Sequence, residues 1–149
     1  MTENQRKKIL VIDDEADMRL FVSTVLETSG YLPIVAENGE VGIVAARRES
    51  PSLIVLDVMM PNIEDGIRTY QQFKTDTVLK HIPIVMLSAI ARKTFFHAIS
   101  RLHFGEEDTP PDPEAYMEKP PDANELALLV SKVLGDRNPG IEGPTLASP

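Results

Sequence analysis

KKILVIDDEADMRLFVSTVLETSG, residues 7–30, runs a short β-branched segment straight into a knot of negative charge. Lys8 to Ile12 read as a buried strand, because Ile and Val crowd a helix and suit a pleated surface. The chain then meets Asp13, Asp14, Glu15 and Asp17. Carboxylates so close raise one another's pKa values unless a cation compensates. Beyond them Met18, Phe21, Val22, Val25 and Leu26 recur at helical spacing, and Gly30 supplies a stop. The stretch is therefore strand, acidic turn, helix.

The same alternation continues outward. YLPIVA, PSLIVLD and IPIVMLSA are further β-branched runs, with helices predicted at Val41 to Arg48 and Ile67 to Phe73 between them. A weaker strand, AYM, follows a long connection, and Asp122-x-x-Glu125 is a capping box that opens a last helix through Leu134. Strand and helix alternating five times over predict a parallel sheet covered on both faces, and LIVL and IVML are apolar on both sides as central strands require. Residues 135–149, rich in Pro and Gly, are expected to form a disordered tail.

Composition narrows the function. A chain of 149 residues, 42% hydrophobic, suits one core, and a net charge of −8 argues against a general nucleic-acid binder. Cysteine is absent, which removes disulfides, thiolate metal sites and cysteine nucleophiles. The apolar run Ile9–Ile12 is too short for a signal-peptide core or a membrane span, so the expected location is the cytoplasm.

Open sheets of this kind bind outside the carboxyl ends of their strands. Those ends carry Asp13 and Asp14, Asp57, Ser88 and Ala89, and Lys119. A hard divalent ion such as Mg²⁺, or Mn²⁺, prefers carboxylates, water and phosphate, so the acids imply a metal. Asp57, at the tip of an apolar strand, can attack phosphorus as a carboxylate nucleophile. Lys119 and the Ser88 hydroxyl would stabilise charge on the phosphoryl oxygens, and the small Ala89 leaves room for them.

The order DD, D-x-x-M-P, S-A and Y-x-x-K-P resembles the receiver domain of two-component response regulators, over roughly residues 7–134. The resemblance implies a flavodoxin-like (βα)5 sheet in strand order 2-1-3-4-5. It implies that Asp57 is the phosphoacceptor, that Asp14 ligates Mg²⁺ directly and Asp13 mainly through water, and that the Met59 main-chain carbonyl completes the set. By the same resemblance Ser88 and Lys119 sense the phosphoryl group, the rotamer of Tyr116 reports activation, and Met59 and Ile90 flank the path of the hydrolytic water. The Lys119–Pro120 bond is typically cis in the family. Implied partners are a sensor histidine kinase or phosphotransfer protein, a downstream protein target and a possible second copy, with no nucleic acid or membrane insertion. Such a domain is an enzyme only towards itself, transferring a phosphoryl group to Asp57 and later losing it. With no output domain after Leu134, a stand-alone receiver or a fragment is expected.

Taken singly, each residue has a plainer reading. A DD pair is usually a helix cap, Lys119 a surface lysine, Tyr116 an edge aromatic and Ser88 a cap; their coincidence at strand ends is what favours function. Glu15 and Asp17 are assigned to the helix dipole, and His81, His97 and His103 to no site. The chain also departs from the family pattern. The glycine after the M-P proline falls at Gly66, with Asp65 in its usual place, and Pro121 replaces an aromatic. The span from Ser88 to Lys119 is longer than usual by about ten residues, a long connection by ordinary standards. It is placed at about residues 104–115, after a fourth helix expected from about Lys93 to Phe104, and Glu106 to Glu114 carries five acids and three prolines. This segment is expected to face a partner. Two rivals are a pseudo-receiver acting as a binding module and a small haloacid-dehalogenase-type phosphatase. In the phosphatase the nucleophile closes the first strand in a D-x-D pattern, which Glu15 breaks.

Overall fold

Each β-branched run forms a strand, and each strand feeds a helix. The computed structural model describes residues 5–101 and 111–136. The elements are β1 (Lys8–Ile12), α1 (Ala16–Thr28), β2 (Leu32–Ala36), α2 (Gly39–Glu49), β3 (Leu53–Leu56), α3 (Ile63–Thr75), β4 (Ile84–Ser88), α4 (Arg92–Arg101), β5 (Ala115–Glu118) and α5 (Ala123–Leu134). The five strands lie in the order β2-β1-β3-β4-β5, and every pair is parallel. This is the doubly wound sheet that the alternation predicts.

Successive strand residues divide between two cores, as a period of two requires. Leu10, Ile12, Ile54, Leu56, Ile84 and Met86 face Ala45, Ala46, Ile67, Tyr70, Phe73 and Phe95. Ile9, Val11, Leu53, Val55, Val85 and Leu87 face Val22, Val25, Leu26, Leu126 and Val130. The central strands β1, β3 and β4 are thus sealed on both sides, while the edge strands β2 and β5 are only partly covered, Val35 in β2 being 50% exposed. Strand order reverses between β1 and β3, which opens the crevice at their carboxyl ends.

Several boundaries differ from the sequence expectation. α2 and α3 both begin earlier, where the side chains of Asn38 and Asn62 accept the amides of Val41 and Asp65. α3 opens on Ile63, which packs against the core four residues before Ile67, but the exposed acids Glu64 and Asp65 follow it, and the sequence reading starts the helix only at Ile67. Phe21, expected on the core face of α1, is 37% exposed, because Val22, Val25 and Leu26 make the contact with the sheet. α4 is described from Arg92 to Arg101, and its expected continuation to Phe104 lies outside the described residues, as does most of the acidic connection. At the other end the Asp122 side chain accepts the Glu125 amide, and Gly135 takes a left-handed φ of 74°. Asp136 then accepts from Lys7 at 2.7 Å and from the Tyr31 hydroxyl at 3.2 Å. Residues 137–149, the rest of the expected tail, lie outside the described residues.

Candidate functional site

Sheet pairing carries the two key aspartates one residue past their strands. The Asp57 amide donates to the Ile12 carbonyl at 3.0 Å, and the Asp13 amide to the Ala36 carbonyl at 3.2 Å. Both side chains are therefore fixed at the crevice, each residue only 3% exposed, while Asp14 lies open to solvent. Carboxylate oxygens of Asp13, Asp14 and Asp57 come within 4.8 Å of one another. Arg19, one turn into α1, donates to the Asp13 carbonyl at 2.8 Å and holds the turn.

Lys119 enters from the end of β5. Its ammonium donates to Asp13 Oδ2 at 2.8 Å, Glu15 Oε1 at 3.1 Å and Asp57 Oδ2 at 3.3 Å. Its amide donates to the Ser88 carbonyl at 2.8 Å, and the Lys119–Pro120 bond is cis. Ser88 is fully buried, and its hydroxyl accepts the Ile90 amide at 3.2 Å. The Tyr116 hydroxyl donates to the Ile90 carbonyl at 2.5 Å, tying β5 to the loop after β4. Ala89 is exposed beside Ser88, Met59 is 41% exposed, and Ile90 packs partly against the core. The structure thus brings every candidate residue to one end of the sheet. His81 and His97 are exposed and apart from it.

The electrostatics follow from burial. Desolvation pushes the Asp57 carboxyl above its ordinary range; the Met59 amide, at 3.1 Å, and Lys119 pull it down, while Asp13 pushes it up again. For Lys119 desolvation acts downward, but the Asp13 hydrogen bond and the charges of Asp57 and Asp13 outweigh it and raise the ammonium. Burial pushes the Tyr116 phenol up to about 12, so it stays a hydrogen-bond donor. Three converging carboxylates, two of them buried, against one ammonium leave an excess of negative charge. That donor set fits a hard divalent cation.

Sequence reasoning missed two residues here. Glu15, read there as a helix-dipole acid, reaches Lys119 instead, and Arg19 braces the Asp13 backbone. Glu15's adjacency to the DD pair was the available signal; nothing in the sequence marks Arg19.

A sequence model described as the response regulator receiver domain matches residues 9–130. The chain belongs to that family. The receiver is 39% identical over 132 residues to a probable transcriptional regulator, ycf27, of Porphyra purpurea, covering 89% of this chain and 49% of that protein. It is 38% identical over 128 residues to the alkaline phosphatase synthesis transcriptional regulatory protein PhoP of Bacillus subtilis, covering 86% and 48%. The chain therefore spans about half the length of the curated relatives it matches. Among solved structures, the chemotaxis response regulator CheY4 of Vibrio cholerae superposes with a TM-score of 0.71 at 22% identity, covering 87% of this chain and 99% of that one. A putative response regulator from Chloroflexus aurantiacus gives 0.71 at 25% identity, covering 88% and 99%.

The receiver also accommodates its departure at Gly66. A Cβ there would sit 1.6 Å from the Val58 carbonyl oxygen, so α3 can cross the loop after Asp57 only with glycine at this position. Asp65, by contrast, is exposed, and its amide is held by Asn62.

Proposed function

We propose that this receiver accepts a phosphoryl group on Asp57 from a phosphohistidine donor and switches partner binding when it does so. The observation that supports this best is the placement of Asp57: buried at the end of a central strand, beside Asp13 and Asp14 and within reach of Lys119. In the transfer an Asp57 carboxylate oxygen bonds to phosphorus as the phosphorus–nitrogen bond of the donor breaks, and an acyl phosphate forms. The Lys119 ammonium is placed to leave the aspartates and pair with the new phosphoryl oxygens. The Ser88 hydroxyl is held at the same rim through the Ile90 amide. Ala89 leaves space there, and Met59 and Ile90 present apolar side chains along the approach of a hydrolytic water.

Mg²⁺ or Mn²⁺ would be held by Asp13, Asp14, Asp57 and the Met59 main-chain carbonyl, and would neutralise charge on the transferring group. Among the described residues no helix is long and apolar enough to cross a membrane. A sensor histidine kinase or a phosphotransfer protein is the donor that suits this chemistry, with the receiver itself placed in the cytoplasm as part of this proposal. The readout runs through Tyr116, whose bond to the Ile90 carbonyl links the loop that holds Ser88 to β5. The output is assigned to a protein that contacts this receiver, within the same polypeptide or outside it, and a second copy is one such partner.

Incubation of the protein with acetyl phosphate and Mg²⁺, followed by mapping of the modified residue, tests the proposal. Label on Asp57 that depends on Mg²⁺ and disappears in Asp57→Asn is the expected result. Undiminished label in that variant, on another strand-end acid, would overturn it.

A further inference from the structure

Glu15 stands in an unusual position for a helix N-cap. A capping carboxylate ordinarily accepts an amide of the first turn. The Glu15 side chain makes no such bond, and its own amide is taken by Asp13 Oδ1 at 2.9 Å. Its carboxylate turns to Lys119, 3.1 Å away, with the side chain 63% exposed. Lys119 thus has three carboxylate partners, and two of them, Asp13 and Asp57, belong to the group of acids that could hold a metal. Glu15 does not belong to it.

A divalent cation among those acids would repel the ammonium and compete with it for Asp13 and Asp57. The entry of metal therefore requires Lys119 to loosen its hold on them. Resting on the phosphoacceptor reading above, we propose that Glu15 is a positioning residue that takes the Lys119 ammonium as a divalent cation enters, drawing it off the aspartates while keeping it at the mouth of the site. Exposure suits this role, because a solvated side chain can follow the ammonium over a short distance at little cost. Without Glu15, Lys119 stays on Asp13 and Asp57 and competes with the metal.

The test is a Mg²⁺ titration of the whole chain by calorimetry, in the wild type, in Glu15→Gln, and in both forms carrying Lys119→Met. Glu15→Gln is expected to weaken Mg²⁺ binding about threefold when Lys119 is present and by less than 1.5-fold when it is absent, the signature of two residues acting through one contact. Asp17→Asn removes an exposed acid from the same turn that has no bond to Lys119, and should change affinity by less than 1.5-fold. Equal weakening by Glu15→Gln in both Lys119 backgrounds would show a simple loss of surface charge and overturn the proposal, as would no weakening in either. A wild type that binds Mg²⁺ and labels on Asp57, with a Glu15→Gln variant indistinguishable from it, sinks this inference and leaves the phosphoacceptor reading standing. A wild type that binds no Mg²⁺ overturns both.

Discussion

The Lys119 ammonium lies closer to Asp13 than to Asp57, at 2.8 Å against 3.3 Å. The lysine assigned to the phosphoryl group is thus held mainly by the neighbouring acid, on the ground that a metal would occupy. Replacing it with Met should have two opposite effects. Mg²⁺ should bind tighter by about 1 kcal/mol, because a competing positive charge is gone. Labelling of Asp57 should slow about 100-fold, because the phosphoryl oxygens lose their ammonium partner. Calorimetry and time-resolved labelling read the two separately, and weaker Mg²⁺ binding would show instead that Lys119 organises the acids for the metal.

Met59 is 41% exposed beside Asp57 and cannot orient a water. Asparagine there can. Met59→Asn should shorten the lifetime of phosphorylated Asp57 about fivefold, the equivalent of one hydrogen bond of ~1 kcal/mol. Decay of label after removal of the donor measures it, and an unchanged lifetime would remove this residue from the water path.

Gly66 leaves no room for a Cβ, because the obstructing atom, 1.6 Å away, belongs to the Val58 backbone rather than to a flexible side chain. Gly66→Ala should destabilise the fold by about 3 kcal/mol, at the upper end of overpacking effects. Chemical denaturation checks this. A midpoint equal to the wild type would mean that α3 can shift away from the loop without loss.

Lys74 is buried in α3, and Glu114 answers it from just before β5. Glu114 Oε1 accepts from the Lys74 ammonium at 2.9 Å and from the Ile84 amide at 2.7 Å, while the Tyr70 hydroxyl donates to the Pro111 carbonyl. Glu114→Ala strands a buried ammonium and an amide together. Because Glu114 itself is partly solvated, the loss should be about 2 kcal/mol rather than the full cost of breaking a deeply buried pair. Labelling of Asp57 should be unaffected. Adding Lys74→Met should restore part of the stability, and a double variant less stable than Glu114→Ala would contradict this account.

The strands, the helix faces and the strand-end acids were legible in the sequence because each depends on local chemistry. LIVL and IVML are β-branched-rich, apolar on both alternating sides and set between helical segments, as central parallel strands are, and Asp57 follows LIVL directly, so the end of the sheet was marked in advance. Helix starts were less legible, because the Asn38 and Asn62 caps are polar and the acids Glu64 and Asp65 separate Ile63, the first residue of α3, from the apolar run that begins at Ile67. The exposure of Phe21 depended on how α1 turns against the sheet, which its own periodicity leaves open.

What the sequence determined by itself was the order of elements and the residue types at each strand end. Which of those residues touch was decided by the tertiary structure. Lys119 and Glu15 are far apart in the chain, and only strand order places their loops at the same mouth. Likewise the need for glycine at position 66 arises from a backbone that crosses it, and Lys74 is buried because Glu114 returns to meet it. Contacts between distant segments depend on packing, and packing is a property of the whole sheet rather than of any stretch within it.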